Sequence, residues 1–300
     1  MIVKKKRKID FREKIIEVIL FGCASFSVFI TFGIVFVLVR EAAPFFFEIP
    51  LREFLGSTEW SPLFSEPRYG IWPLLAGTFL TSILALSLAL PFGLIIAGFL
   101  CEYVPHRYKE ILKPVLELLA AVPTVVYGYF ALLFVTPLLQ KFFPSLGGFN
   151  VLSAGIVMGF MIIPYVSSLS EDALRAVPTH LKEASFAMGA TKFQTIFRVM
   201  IPAAFSGIVS ALILGVSRAL GETMVVSIAA GMQPNFTLNF FEPAQTITAY
   251  IVQVSLGDIP HGSIGYQTIY VAGLVLFCLT LIFNLLGIYL KRRYQEVEIK

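Results

Sequence analysis

The sequence predicts an all-α integral membrane protein with six transmembrane helices, and three observations lead there. Only 14% of the 300 residues are charged while 57% are apolar, too little charge to cover a soluble domain of this size. The apolar residues gather in charge-free blocks at 18–39, 74–100, 118–140, 151–169 and 269–290, and a sixth block, 199–232, encloses Arg218 and Glu222. Each block exceeds the roughly 18 residues that mark a span, and a helix satisfies its own backbone polar groups in hydrocarbon.

The first block has 22 residues, longer than the h-region of a signal peptide, so it is expected to remain as an uncleaved span. Of the 23 Lys and Arg residues, eighteen fall in 1–14, 101–114, 170–202 and 291–300. Four others, Arg40, Arg52, Arg68 and Lys141, fall in the intervening segments. The positive-inside rule therefore puts both termini and the loops 101–114 and 170–202 in the cytoplasm. The basic residues sit beside spans, so the net charge of +4 points to the lipid bilayer and to no nucleic-acid partner.

Residues 1–72 comprise the basic N-terminus, the first span and an outer segment rich in Pro, Phe and Trp, with Trp60 and Trp72 expected at the membrane interface. Residues 73–290 form a core with five spans, and 291–300 a cytoplasmic tail. Cys23 and Cys278 lie in spans and Cys101 at the end of one, so no disulfide framework is expected. His106, His180 and His261 sit in separate loops without ligand spacing, so no metal site is expected.

Helix breakers punctuate the core: Pro91 and Gly93, Pro123 and Gly128, and Pro164. They are read either as packing kinks or as irregular backbone beside a substrate path. The outer loop 233–268 carries no Lys or Arg. Within it, 246–256 has the pattern of a short helix lying at the surface, followed by turn residues at 257–262.

Loop 170–202 has the pattern of two short amphipathic helices joined at a glycine. Pro178 suits the opening of the first, whose face is Leu181, Ala184, Ser185 and Met188. Gly189 suits a left-handed stop, and Thr191 with Gln194 forms a capping box for the second. Its face is Phe193, Ile196, Phe197 and Met200, running to Ile201-Pro202. Interfacial helices lying on a membrane fit this pattern, and so does a docking surface. The small residues Ala184, Ser185 and Ala187 favour close approach of another protein.

Glu183-Ala184-Ser185, three residues, Gly189, nine residues and Val199-Met200-Ile201-Pro202 resemble the EAA loop of ABC importer permeases. That pattern reads E-A-A, three residues, G, nine residues, I-x-L-P, with departures here at Ser185, Val199 and Ile201. The resemblance implies a type I ABC importer permease (MetI-like) core. It also implies that Glu183, Ala184, Ser185, Met188, Gly189, Phe193 and Pro202 couple the spans to a cytoplasmic ATPase. No G-x-x-x-x-G-K-[ST] occurs, so ATP with Mg²⁺ is expected on a separate chain, this one carrying no cofactor and no catalytic residue.

Arg218 and Glu222 are four apart, so on an unbroken helix they share a face and meet. A buried arginine costs about 2.5–3.5 kcal/mol on insertion scales, which leaves two readings: an internal ion pair, or a polar path that attracts an anion. Thr223, Ser217 and Ser227 add hydroxyls. Residues 217–224 resemble the R-A-L-G-E-T segment of phosphate ABC permeases, and 71–78, 117–128 and 248–258 resemble the PstC branch of that family. The resemblance implies a path through Arg218, Glu222 and Thr223. It also implies assembly with a PstA-like permease, a PstB-like ATPase dimer and an outer PstS-like phosphate-binding protein. The alternatives are a PstA-like chain, a permease for another oxyanion, a proton-coupled anion transporter, or a membrane scaffold.

Overall fold

The computed structural model describes residues 11–298, so most of the basic stretch 1–14 lies outside the described residues. Among the described residues four helices are long and apolar enough to cross a membrane: α1 (Phe11–Glu48), α3 (Trp72–Glu102), α7 (Val151–Arg175) and α14 (Ile264–Glu298). A short α2 (Leu51–Gly56) follows the first of these. The other two crossings are bent. Helix α4 (His106–Ala121) meets α5 (Thr124–Phe130) and α6 (Thr136–Gln140) at 82°. Helices α9 (Lys192–Thr195) and α10 (Ile201–Ala203) meet α11 (Phe205–Leu220) at 79°. The total is six crossings if each bent pair counts as one.

Helices α3 and α7 form the centre of the bundle. Ala85 and Ala89 of α3 and Ala154 of α7 are fully buried there with Val157, Met158 and Met161. Small side chains bring helix backbones close, the usual source of packing energy where lipid removes the hydrophobic drive between helices. Pro91 and Pro164 lie inside unbroken helices. Pro123 is the real break. It follows Val122 in extended conformation and opens α5.

The third apolar block is therefore not one span from 118. Residues 118–121 belong to α4, an amphipathic helix, and the crossing starts at Thr124. A proline has no N–H and crowds the carbonyl a turn earlier. Two further prolines, Pro137 and Pro202, each follow a π-helical turn, at Ala131–Val135 and Ile196–Met200, where the wider ring absorbs that clash.

The segment 246–256 is helical as expected, with Thr246 capping α13 (Ile247–Ser255) through the Ala249 N–H. Its place differs from the expectation. Ile247, Thr248, Ala249, Tyr250 and Val254 are buried, so α13 re-enters the bundle against α3 and α14. Trp60 also departs from the expected interface role, being 3% exposed. It packs edge-on against Phe54 and Tyr250 in an aromatic cluster with Phe45 and Tyr69. Trp72 is exposed and donates its indole N–H to the Leu55 carbonyl at 2.7 Å. At the other end, α14 runs without a break past 290 to Glu298.

The seat of α13 depends on Gly77. A Cβ there would stand 2.3 Å from the Gln245 carbonyl oxygen, which is backbone and cannot swing away. Gly77→Ala is expected to destabilise the protein by about 1–3 kcal/mol through overpacking. Thermal unfolding of the purified protein in detergent measures this, and an unchanged midpoint would show that the Gln245 backbone is not seated on α3.

Candidate functional site

Two sites emerge, one at the end of the bundle that carries residues 176–204 and one inside it. At the first, Pro178 precedes α8 (Thr179–Ala187) as its N-cap. Gly189, at φ +82°, ends it in the left-handed region that favours glycine. The Thr191–Gln194 capping box is complete and opens α9. Lys182 pairs with Glu102 of α3 at 2.7 Å, Lys192 donates to the Glu102 carbonyl at 3.0 Å, and Ser185 meets Thr195 at 2.9 Å. These contacts fix α8 to the bundle by one edge.

Among the described residues its remaining surface is unpartnered. Met188 is 88% exposed, and Leu181, Glu183, Ala184 and Phe186 are exposed beside it. Of the expected first face, only Ser185 turns inward. The expected second face divides in two across the π turn. Ile196 and Met200 are buried with Leu174, Val177 and Ala97. Phe193 and Phe197 point out, 4.5 Å apart, along a groove of about 490 Å³ shared with Ile95 and Phe99. Pro202 lies on α10 and is exposed.

The interior site is built on a broken helix. Helix α11 ends at Leu220, and α12 (Met224–Ala229) starts after Gly221-Glu222-Thr223. The break separates the two residues expected to pair. Among the described residues no ion pair joins Arg218 to Glu222. Instead Glu222 accepts from the N–H groups of Met224 and Val225, at 3.2 and 3.4 Å, and so caps α12. Its carbonyl accepts from the Thr248 hydroxyl of α13 at 2.7 Å. Thr223 donates to the Gly221 carbonyl at 3.3 Å, and Ser227 to the Thr223 carbonyl at 2.6 Å.

Arg218, in the last turn of α11, lies with its guanidinium carbon 4.2 Å from the centroid of the Tyr165 ring on α7. Its Nε is buried with no hydrogen-bond partner. A guanidinium held by a ring face keeps its edge donors free for a planar or tetrahedral oxyanion. Ser217 donates to Asn284 of α14 at 3.2 Å, which ties the same turn to the last helix.

A third cluster has no counterpart in the sequence reading. Glu171, fully buried near the end of α7, takes Lys109 at 2.9 Å, Lys113 at 3.1 Å and Arg175 at 2.5 Å. Two signals pointed to it: the Glu171–Arg175 spacing of four, and the stripe Tyr108, Ile111, Leu112 and Val115, which marks α4 as a helix.

Residues 89–296 match the family described as "Binding-protein-dependent transport system inner membrane component". The chain is 39% identical to the "Probable ABC transporter permease protein YqgH" of Bacillus subtilis, over 80% of this chain and 78% of that one. It is 33% identical to the "Probable phosphate transport system permease protein PstC" of Methanocaldococcus jannaschii, over 90% of this chain and 92% of that one. Among solved structures, a bacterial ABC transporter involved in alginate import superposes with a TM-score of 0.66 at 17% identity, covering 94% of this chain and 96% of that one. The MetNI methionine ABC transporter does so with a TM-score of 0.55 at 20% identity, covering 75% and 94%. The chain therefore belongs to the binding-protein-dependent transport system inner membrane component family, a multi-pass permease with the type I ABC importer fold.

Proposed function

We propose that this chain is the membrane-spanning permease subunit of an ATP-driven phosphate importer, working by alternating access with ATP hydrolysed on a separate chain. The observation that carries the anion reading is Arg218: a half-buried arginine at a helix break, whose buried Nε has no hydrogen-bond partner and which pairs with no carboxylate among the described residues. Glu222 holds the break open by capping α12, which leaves the charge of Arg218 for a ligand. Phosphate among oxyanions is supported by the PstC-named relatives that match over most of the chain.

The two sites support the partner reading. The exposed face of α8 suits a cytoplasmic ATPase dimer of PstB type, with Glu183, Ala184, Met188 and Gly189 at the contact. The distribution of Lys and Arg supports that loop and both termini lying in the cytoplasm. A PstA-like permease would complete the path around Arg218, and a PstS-like binding protein would deliver phosphate at the opposite face. In this scheme Arg218 holds the anion, Tyr165 orients the guanidinium, and Thr223 lies at the mouth of the break.

The complete complex in proteoliposomes is expected to accumulate labelled phosphate with ATP and not with a non-hydrolysable analogue. Uptake that follows a proton gradient and ignores ATP would reject the proposal. Arg218→Gln is expected to abolish uptake while the complex still assembles; undiminished uptake would reduce Arg218 to a packing role. Gly189→Val puts a β-branched residue at φ +82°, costing roughly 1–2 kcal/mol at the end of the docking helix. The expected result is loss of ATPase association or of coupled transport, checked by co-purification, and retention of both would argue against docking through α8.

A further inference from the structure

Resting on the permease reading above, we propose that Glu171 is a positioning residue that couples the docking helix to the broken third crossing. It ties α4 to α7, so that a displacement at α8 reaches the Pro123 hinge.

Among the described residues, α4 packs on a single helix of the bundle. Its apolar stripe, Tyr108, Ile111, Leu112 and Val115, is exposed, and α7 is the helix it packs against. Across that contact the attachment is electrostatic. Both Glu171 oxygens are engaged, Oε1 by Lys109 and Oε2 by Lys113, and Lys113 also reaches Asp172 at 2.9 Å. Arg175 closes on Oε1 from the same helix as Glu171. A buried charge network of this kind is weak evidence for stability, because apolar packing serves stability as well or better. What it does provide is an ion-pair tether between two helices.

The tether stands at a junction of short links. Arg175 is the last residue of α7, and only residues 176–178 separate it from α8, whose free face is the docking surface. On the other side, α4 ends at Ala121, and Val122-Pro123 leads straight into α5. The 82° bend between them is braced, since the Tyr127 hydroxyl of α5 donates to the Leu119 carbonyl of α4 at 2.6 Å. Helix α5 in turn packs on α12, the helix capped by Glu222. A Cβ at Gly128 would stand 2.9 Å from Ile228, so the two helices touch with no slack. A contiguous mechanical path thus runs from α8 through the end of α7, Glu171, α4 and α5 to the break beside Arg218.

The test uses the complete complex in proteoliposomes and reads phosphate taken up per ATP hydrolysed. This ratio is one that a purely structural role would leave alone, because lost assembly lowers both quantities together. Glu171→Gln is expected to assemble, to hydrolyse ATP, and to lower the ratio about tenfold, the scale of a lost coupling interaction. Lys113→Gln leaves Lys109 and Arg175 on Glu171, and is expected to lower the ratio in the same direction by less. The second variant decides the question if the first does not assemble. A ratio equal to the parent's in an assembled Glu171→Gln, or in Lys113→Gln when that variant must decide, overturns the proposal. Uptake and hydrolysis falling in step overturn it too. Absence of phosphate uptake by the parent removes the phosphate-importer reading and the relay that rests on it, whereas parental uptake with unchanged variant ratios removes the relay alone.

Discussion

A helix that stops inside a membrane bundle frees backbone groups that hydrocarbon cannot satisfy, and this permease is organised around answering that demand at residues 221–223. The Glu222 carboxylate takes two N–H groups of α12, and the Thr248 hydroxyl takes the Glu222 carbonyl. The second bond requires α13 to lie inside the bundle. That in turn requires Gly77 on α3, the Thr78 hydroxyl that accepts the Ile247 N–H at 3.1 Å, and the aromatic cluster that closes over Tyr250. The re-entrant loop and the break are one construction.

The same bonds explain why Arg218 is left over. A carboxylate four residues away is the natural neutraliser on a continuous helix. Once that carboxylate is committed to capping, the arginine keeps its charge, and the Tyr165 face offers attraction without a proton acceptor. The charge is thereby retained at a point where three helices, α7, α11 and α14, approach the same turn.

Local chemistry in the chain was legible where it is self-contained. Pro178, Gly189 and the Thr191–Gln194 box act within one or two turns of themselves, and all stand where their spacing put them. The apolar blocks also marked the crossings, because length and hydropathy are local quantities. What could not be read was tertiary. Trp60 and residues 246–256 have the composition of an interface and a surface loop, and only their partners reveal that they are buried. Pairing of Arg218 with Glu222 failed because Gly221 ends a helix that residue spacing assumes to be continuous. Glu171 stayed hidden because its meaning lies in Lys109 and Lys113, some sixty positions earlier in a stretch whose composition marks it as a loop.

Helix α1 has a consequence for how the molecule is made. No residue in the apolar window of α1 is fully buried, and the helix packs most closely at its end, where Ala42 and Phe45 cluster with Val271 and Ala272 of α14. Among the described crossings α1 is made before the other four and α14 after them, so α1 waits for α14. During that interval it must be a stable resident of the bilayer by itself, which its all-round apolar surface permits. The bundle is closed late, by the contact between α1 and α14.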